Sequence, residues 1–246
     1  MFVTLGAIMT MIAKNLQTLR ERIAAACIVA GRKPAAVHLL AVSKTFDAQA
    51  VKQAFAAGQT AFGENYIQEA VQKIAELRQL PLQWHCIGPI QSNKTRLVAE
   101  HFDWVHTVDR LKTAQRLSEQ RPAHLPPLQV CIQVNVDGGA SKSGVLPEEA
   151  LALAQQVATL PNLRLRGVMS IPEPAADFEA ACAVFAKVKT VFDDLKAAGL
   201  ALDTLSMGMS ADLEAAIASG STLVRVGTAI FGGRAKRELT DFTSLH

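Results

Sequence analysis

The sequence predicts an eight-stranded parallel α/β barrel, a TIM-type (β/α)8 fold, and three observations carry that expectation. Eight short apolar runs alternate with longer helix-patterned stretches. Several runs are apolar on both faces, as strands between a filled interior and covering helices must be. The chain of 246 residues suits one barrel, and no Pro-rich or Gly/Ser-rich linker divides it, so residues 1–246 read as a single domain.

The elements follow in order. An amphipathic helix runs from Lys14 to about Ala30. The apolar runs are VHLLAVSKT (37–45), TAFGENY (60–66), LQWHCIG (82–88), WVHTVD (104–109), LQVCIQVNV (128–136), LRLRGVMSI (163–171), LDTLSMGM (202–209) and TLVRVGTAIFG (222–232). Helix-start chemistry lies between them: Asp47 before AQAVKQAFAAG, Pro147 opening PEEALALAQQVA, and Ser210 before ADLEAAIASG. The opening MFVTLGAIMTMIA lacks a basic residue ahead of its apolar stretch, and its length is well short of the ~20 residues that span a bilayer. Residues 1–10 read as a disordered leader.

Composition removes several function classes. Half the residues are hydrophobic and 19% are charged, which excludes disorder. A net charge of +3 and 5% aromatics give neither a basic footprint nor stacking platforms for nucleic acid. Cys27, Cys86, Cys131 and Cys182 lie far apart in sequence, and His38, His85, His101, His106, His124 and His246 are scattered, so no metal-ligand spacing appears. A reducing, cytoplasmic compartment is the expectation, without membrane or nucleic-acid partners.

In such a barrel, chemistry gathers at the carboxyl ends of the strands. Lys44 closes the first run and shares one face with His38, Leu40 and Val42 by the period of two. Position leaves two readings open: an ammonium snorkelling out at a strand terminus, or an amine made nucleophilic by desolvation or neighbouring positive charge. Arg225 stands in the otherwise apolar LVRVG, where a buried guanidinium needs acceptors from a distant carboxylate or a ligand. Gly227 and Thr228 follow it, and SMGMS ends one strand earlier at Ser210. The last two loops therefore read as a phosphate cup, although Ser210 alone is equally an N-cap and Gly227 equally a turn residue. Asn65 in FGENY reads as a helix cap, His85 as a hydrogen-bonded core residue, and Lys142 in NVDGGASKSG as a solvated charge or second anion contact.

Taken together, LLAVSKT, FGENY, WHCIGPIQSNK, NVDGGASKSG, RLRGVMSIP, TLSMGMSADLEAAI and VRVGTAIFG resemble the ordered motifs of the pyridoxal phosphate homeostasis protein family, from about Val37 to Gly233. The resemblance implies a single-domain barrel like the alanine racemase N-terminal domain (fold type III) that carries pyridoxal 5'-phosphate as a lysine aldimine. It makes Lys44 the cofactor lysine and sets Arg225 against the pyridine nitrogen. Ser206, Ser210, Gly227 and Thr228 would surround the phosphate, and Asn65 and Met207 would line the ring pocket. Lys94 and Lys142 are candidates for a second contact.

The same resemblance poses a carrier against a racemase. Racemisation needs two acid–base groups on opposite faces of the substrate carbon. Racemases of this fold type place a tyrosine opposite the lysine and add a β-rich domain, whereas here Tyr66 is the single tyrosine and the chain ends soon after the eighth run. The expected protein is a monomeric cytoplasmic carrier that buffers or delivers pyridoxal phosphate. Apo pyridoxal-phosphate enzymes would be transient partners, no residue would be catalytic and none would bind metal. A low-activity amino-acid racemase is the alternative.

Overall fold

Short parallel strands alternate with helices along the chain, and the strand ends show why. The computed structural model describes residues 10–138 and 143–233. The strands are β1 (His38–Val42), β2 (Ala61–Glu64), β3 (Gln83–Cys86), β4 (Trp104–Val108), β5 (Leu128–Gln133), β6 (Leu163–Met169), β7 (Thr204–Ser206) and β8 (Leu223–Val226). Each pairs in parallel with its neighbour in sequence, and β8 returns to β1 to close the barrel. Val42 stands opposite Gly63 on β2, and Leu40 opposite Arg225 on β8, so β1 is the shared neighbour of two candidate loops.

The helices are α1 (Met11–Val29), α2 (Ala48–Ala56), α3 (Ile67–Glu76), α4 (Thr95–His101), α5 (Leu111–Gln120), α6 (Pro147–Ala158), α7 (Phe178–Ala197), α8 (Leu213–Ala218) and α9 (Thr228–Phe231). Asp47 caps α2 by accepting from the Ala50 N–H at 2.9 Å, and Pro147 opens α6, as their residue types require. Thr10 caps α1 by accepting from the Ala13 N–H, so that helix starts at Met11. The rest of the expected leader and Lys142 lie outside the described residues. Two boundaries differ from expectation. The eighth run ends as strand at Val226 and turns into α9, and α8 takes Asp212, not Ser210, as its cap residue.

Period-two alternation sorts side chains into two layers. Phe62, Trp84, Val105, Ile132, Leu205 and Val224 belong to the main core beneath the helices, each such large side chain contributing about 1.5–3 kcal/mol by burial. Leu40, Val42, Ile87 and Leu223 form one inner cluster, and Trp104, Cys131 and Met169 another. The buried set also includes His85, His106, Ser206 and Arg225 on strands β3, β4, β7 and β8. Buried polar groups must be mutually satisfied, and that requirement leads to the site.

Candidate functional site

The site is assembled at the carboxyl ends of β1, β2, β7 and β8. Lys44 lies half-buried one residue beyond the buried Ser43, in a turn whose next residue, Thr45, is left-handed at φ 69°. A β-branched residue is strained in that region by roughly 1–2 kcal/mol, so something must hold it. Three charged groups do so. The Thr45 N–H donates to Glu69 Oε1 at 2.8 Å, the Ser43 hydroxyl donates to Glu64 Oε1 at 2.6 Å, and Lys73 Nζ donates to the Ser43 carbonyl at 2.9 Å. Lys73 also bridges Glu64 at 2.6 Å and Glu69 at 3.3 Å. Both residues that flank Lys44 are thus clamped from β2 and α3. Burial pushes the Glu64 carboxyl above its usual range, opposed by Lys73 and the Ser43 hydroxyl, and its second oxygen is buried with no partner among the described residues.

The last loop meets this turn directly. A Cβ on Gly227 would stand 2.9 Å from the Val42 carbonyl, so only glycine lets β8 leave the barrel so close to β1. Phe46 then stacks on Phe231 of α9 at 5.0 Å, tying the Lys44 turn to the short helix that begins at Thr228. Thr228 is exposed, and the first N–H groups of any helix lack intrahelical acceptors. Ser210 is half-buried in the turn before α8, its carbonyl accepting from Arg22 Nη1 at 3.0 Å. Asp212 accepts from the Met209 N–H at 2.6 Å beside it.

Arg225 is 4% exposed. Its Nη1 donates to Ser206 Oγ at 2.7 Å and its Nη2 to the Ser170 carbonyl at 2.9 Å, and among the described residues no carboxylate is within ion-pair distance. Burial lowers its pKa to about 10, with Asp212 as the main opposing charge. A guanidinium has five N–H donors, so three have no partner among the described residues. On the neighbouring side of β1, Asn65 Oδ1 is buried with no partner among the described residues.

Two expected contacts do not join this set. Ser206 is fully buried beneath the guanidinium, with its hydroxyl between Arg225 and His106. Met207 is fully buried in the core under the helices, because the residue after an inward Ser206 must point outward. Lys44, Asn65, Ser210, Arg225, Gly227 and Thr228 lie on the strand ends and loops at the carboxyl end of the barrel. Sequence reasoning passed over Glu64, Glu69 and Lys73, and a Glu–Lys spacing of four on a helix is common to ordinary solvated faces. A carboxylate ending the apolar run TAFGE was the available signal.

The model for the alanine racemase N-terminal domain matches residues 10–235. The chain is 64% identical to the pyridoxal phosphate homeostasis protein of Pseudomonas aeruginosa, covering 92% of this chain and 97% of that one. It is 54% identical to the protein of the same name from Escherichia coli K12, covering 91% and 97%. The chain belongs to the pyridoxal phosphate homeostasis protein family. A solved family structure, PipY of Synechococcus elongatus with pyridoxal phosphate bound, superposes with a TM-score of 0.78 at 40% identity, covering 90% of this chain and all of that one. The alanine racemase of Clostridium difficile shares the fold at 18% identity and a TM-score of 0.67, this chain covering 58% of its length.

The features at the mouth suit the family's ligand. A buried guanidinium with donors to spare, an orphaned Asn65 oxygen, an amine on a clamped turn and a glycine-tight exit from β8 are what an aldehyde-bearing, phosphorylated pyridine would use. Among the described residues no group of three or more His, Cys, Asp or Glu could hold a metal, and no helix is long and apolar enough to cross a membrane.

Proposed function

We propose that the protein binds pyridoxal 5'-phosphate reversibly at this mouth and buffers or delivers it, without turning over amino acids. The observation that supports this best is the pairing of Lys44, on a turn held by Lys73, Glu64 and Glu69, with the buried, donor-rich Arg225 across β1. When bound, the cofactor supplies an aldehyde for an amine and a dianionic phosphate for N–H donors. Lys44 holds it covalently, Arg225 donates to the ring nitrogen, Asn65 lines the ring, and Ser210, Gly227 and Thr228 hold the phosphate.

Arg225 only donates, so it holds the ring nitrogen unprotonated and weakens the electron sink that turnover would need. Among the described residues a second acid–base group is also wanting. Glu64 and Glu69 are committed to Lys73 and to the Lys44 turn, and Tyr66 is 52% exposed at the start of α3. The protein acts in the cytoplasm as a monomer, with apo-enzymes as transient acceptors.

The test combines borohydride reduction of the loaded protein, peptide mapping, and incubation with L-amino acids and with an apo-enzyme. Expected are attachment at Lys44, its loss in Lys44→Ala, activation of the apo-enzyme, and no change in chiral composition. Attachment only at Lys94 or Lys142 would overturn the site. Sustained racemisation lost in Lys44→Ala would favour the racemase.

A further inference from the structure

A continuous line of hydrogen bonds crosses the barrel interior beneath Arg225. Arg225 Nη1 meets Ser206 Oγ at 2.7 Å, and Ser206 Oγ meets His106 Nδ1 at 3.0 Å. His106 Nε2 meets His85 Nδ1 at 2.9 Å, and His85 Nε2 meets Gln83 Oε1 at 3.1 Å. Ser206, His106 and His85 are at most 1% exposed. Gln83 lies at the opposite mouth, on the wall of a cavity of about 700 Å³.

Hydrogen bookkeeping gives this line one direction. Arg225 has no lone pair to offer, so among the described residues the Ser206 hydroxyl hydrogen has a single acceptor in reach, His106 Nδ1. His106 then carries its hydrogen on Nε2 and donates to His85 Nδ1. His85 likewise carries Nε2–H and donates to the Gln83 oxygen. A second proton on either ring would set two N–H groups against each other or against the serine hydrogen, so both rings are neutral; burial acts in the same sense, lowering His85 to about 3 and His106 well below the usual histidine range. Stacking of His85 on Trp104, 5.1 Å apart and 8° from parallel, fixes the plane of the inner ring.

We propose that His106 and His85 are positioning residues for Arg225: the neutral relay running from Gln83 orients the Ser206 oxygen, which holds the guanidinium against the cofactor ring without adding charge beside it. This rests on the reading of Arg225 as the ring contact. With the relay cut, the Ser206 hydroxyl is free to turn, and one of the two protein anchors of Arg225 is loosened.

The experiment compares His106→Phe, which keeps the volume and removes both hydrogen bonds, with His106→Asn, whose side-chain oxygen stands near the place of Nδ1. In the cofactor-free protein, nitrogen NMR should find both imidazoles neutral with hydrogen on Nε2, and His106→Phe should shift the Arg225 side-chain resonances. In the loaded protein, His106→Phe should release pyridoxal phosphate about tenfold faster and move the visible band, with His106→Asn recovering most of the loss. If His106→Phe does not fold, His85→Phe cuts the same line further from the site and should give a smaller loss in the same direction. A hydrogen on Nδ1 of His106, or unchanged release and absorption in the phenylalanine variants, would overturn the proposal. A wild type that takes up no pyridoxal phosphate would instead sink the functional reading, and the proposal with it.

Discussion

Two buried polar networks converge on the mouth of the barrel, and they are built from opposite chemistry. Behind the wall, between β1, β2 and α3, the Lys73–Glu64–Glu69 clamp is ionic and grips backbone on both sides of Lys44. Inside the wall, the Gln83–His85–His106–Ser206 relay is neutral and grips the side chain of Arg225. The difference teaches where this fold tolerates charge. A carboxylate inside the barrel would neutralise Arg225 and compete for the donors a ligand needs, so the interior uses imidazoles and hydroxyls. The turn that carries Lys44 must stay strained, and ion pairs screened from the site by the sheet can hold it there.

The contrast breaks most visibly at Lys73. Lys73→Met leaves Glu64, 1% exposed, as an uncompensated buried carboxylate, which costs about 3–5 kcal/mol. Urea unfolding should show that loss, and adding Glu64→Gln should recover a large part of it. If the single and double variants are equally unstable, the pair is not the source of the effect. Arg225→Met is the matching change inside the barrel, with a different signature. It removes a desolvated cation along with two hydrogen bonds, and these roughly cancel, so cofactor-free stability should move by less than about 1 kcal/mol. Retention of pyridoxal phosphate, measured by equilibrium dialysis, should fall by at least about tenfold. Equal losses in stability and retention would make Arg225 a structural residue.

How much of this was legible in the sequence follows from the same division. The eight strands were, because parallel strands covered on both faces are written as apolar runs. Lys44 and Arg225 stood out as charges inside such runs. Met207 was misplaced although the period of two, carried on from Ser206, sets it outward. Lys73 had no local signal, since its main partners, Ser43 and Glu64, come from β1 and β2. The relay was half visible: His85 and His106 each sit in an apolar strand, but it takes the pairing of β3 with β4 to bring their ring nitrogens to 2.9 Å, and the closed barrel to bring Ser206 of β7 to His106.

Acid should separate the two networks. His85 is neutral in the folded protein down to about pH 3, while in the unfolded chain it takes a proton below about pH 6.5. The unfolded state therefore binds more protons in that window, and stability falls as pH falls from 6.5 towards 3, by up to about 1.4 kcal/mol per pH unit for each such histidine. His106 acts in the same sense. Glu64, raised in the folded state, works in the opposite direction above its unfolded value. Stability from denaturant unfolding should fall between pH 6.5 and 5 in the wild type and fall less in His85→Phe. A slope unchanged by His85→Phe would mean that the ring is charged when folded.

The smallest effect tests the clamp itself. Thr45 is held left-handed at φ 69° by its bond to Glu69, next to the residue that carries the amine. Glycine adopts that conformation without steric cost, yet it loses more backbone entropy on folding, by about 0.5–1 kcal/mol. Relief of roughly 1–2 kcal/mol of strain against that loss leaves Thr45→Gly neutral or stabilised by up to about 1.5 kcal/mol. Glu69→Gln weakens the grip on Thr45 and should slow covalent uptake of pyridoxal phosphate at Lys44, read by borohydride trapping over time. The decisive measurement is the double variant. If the clamp serves to hold a strained turn, Thr45→Gly removes the need for it, and Glu69→Gln then slows uptake less in the glycine background than in the wild type. An equal slowing in both backgrounds would mean that Glu69 acts on the amine through its charge and not through the turn.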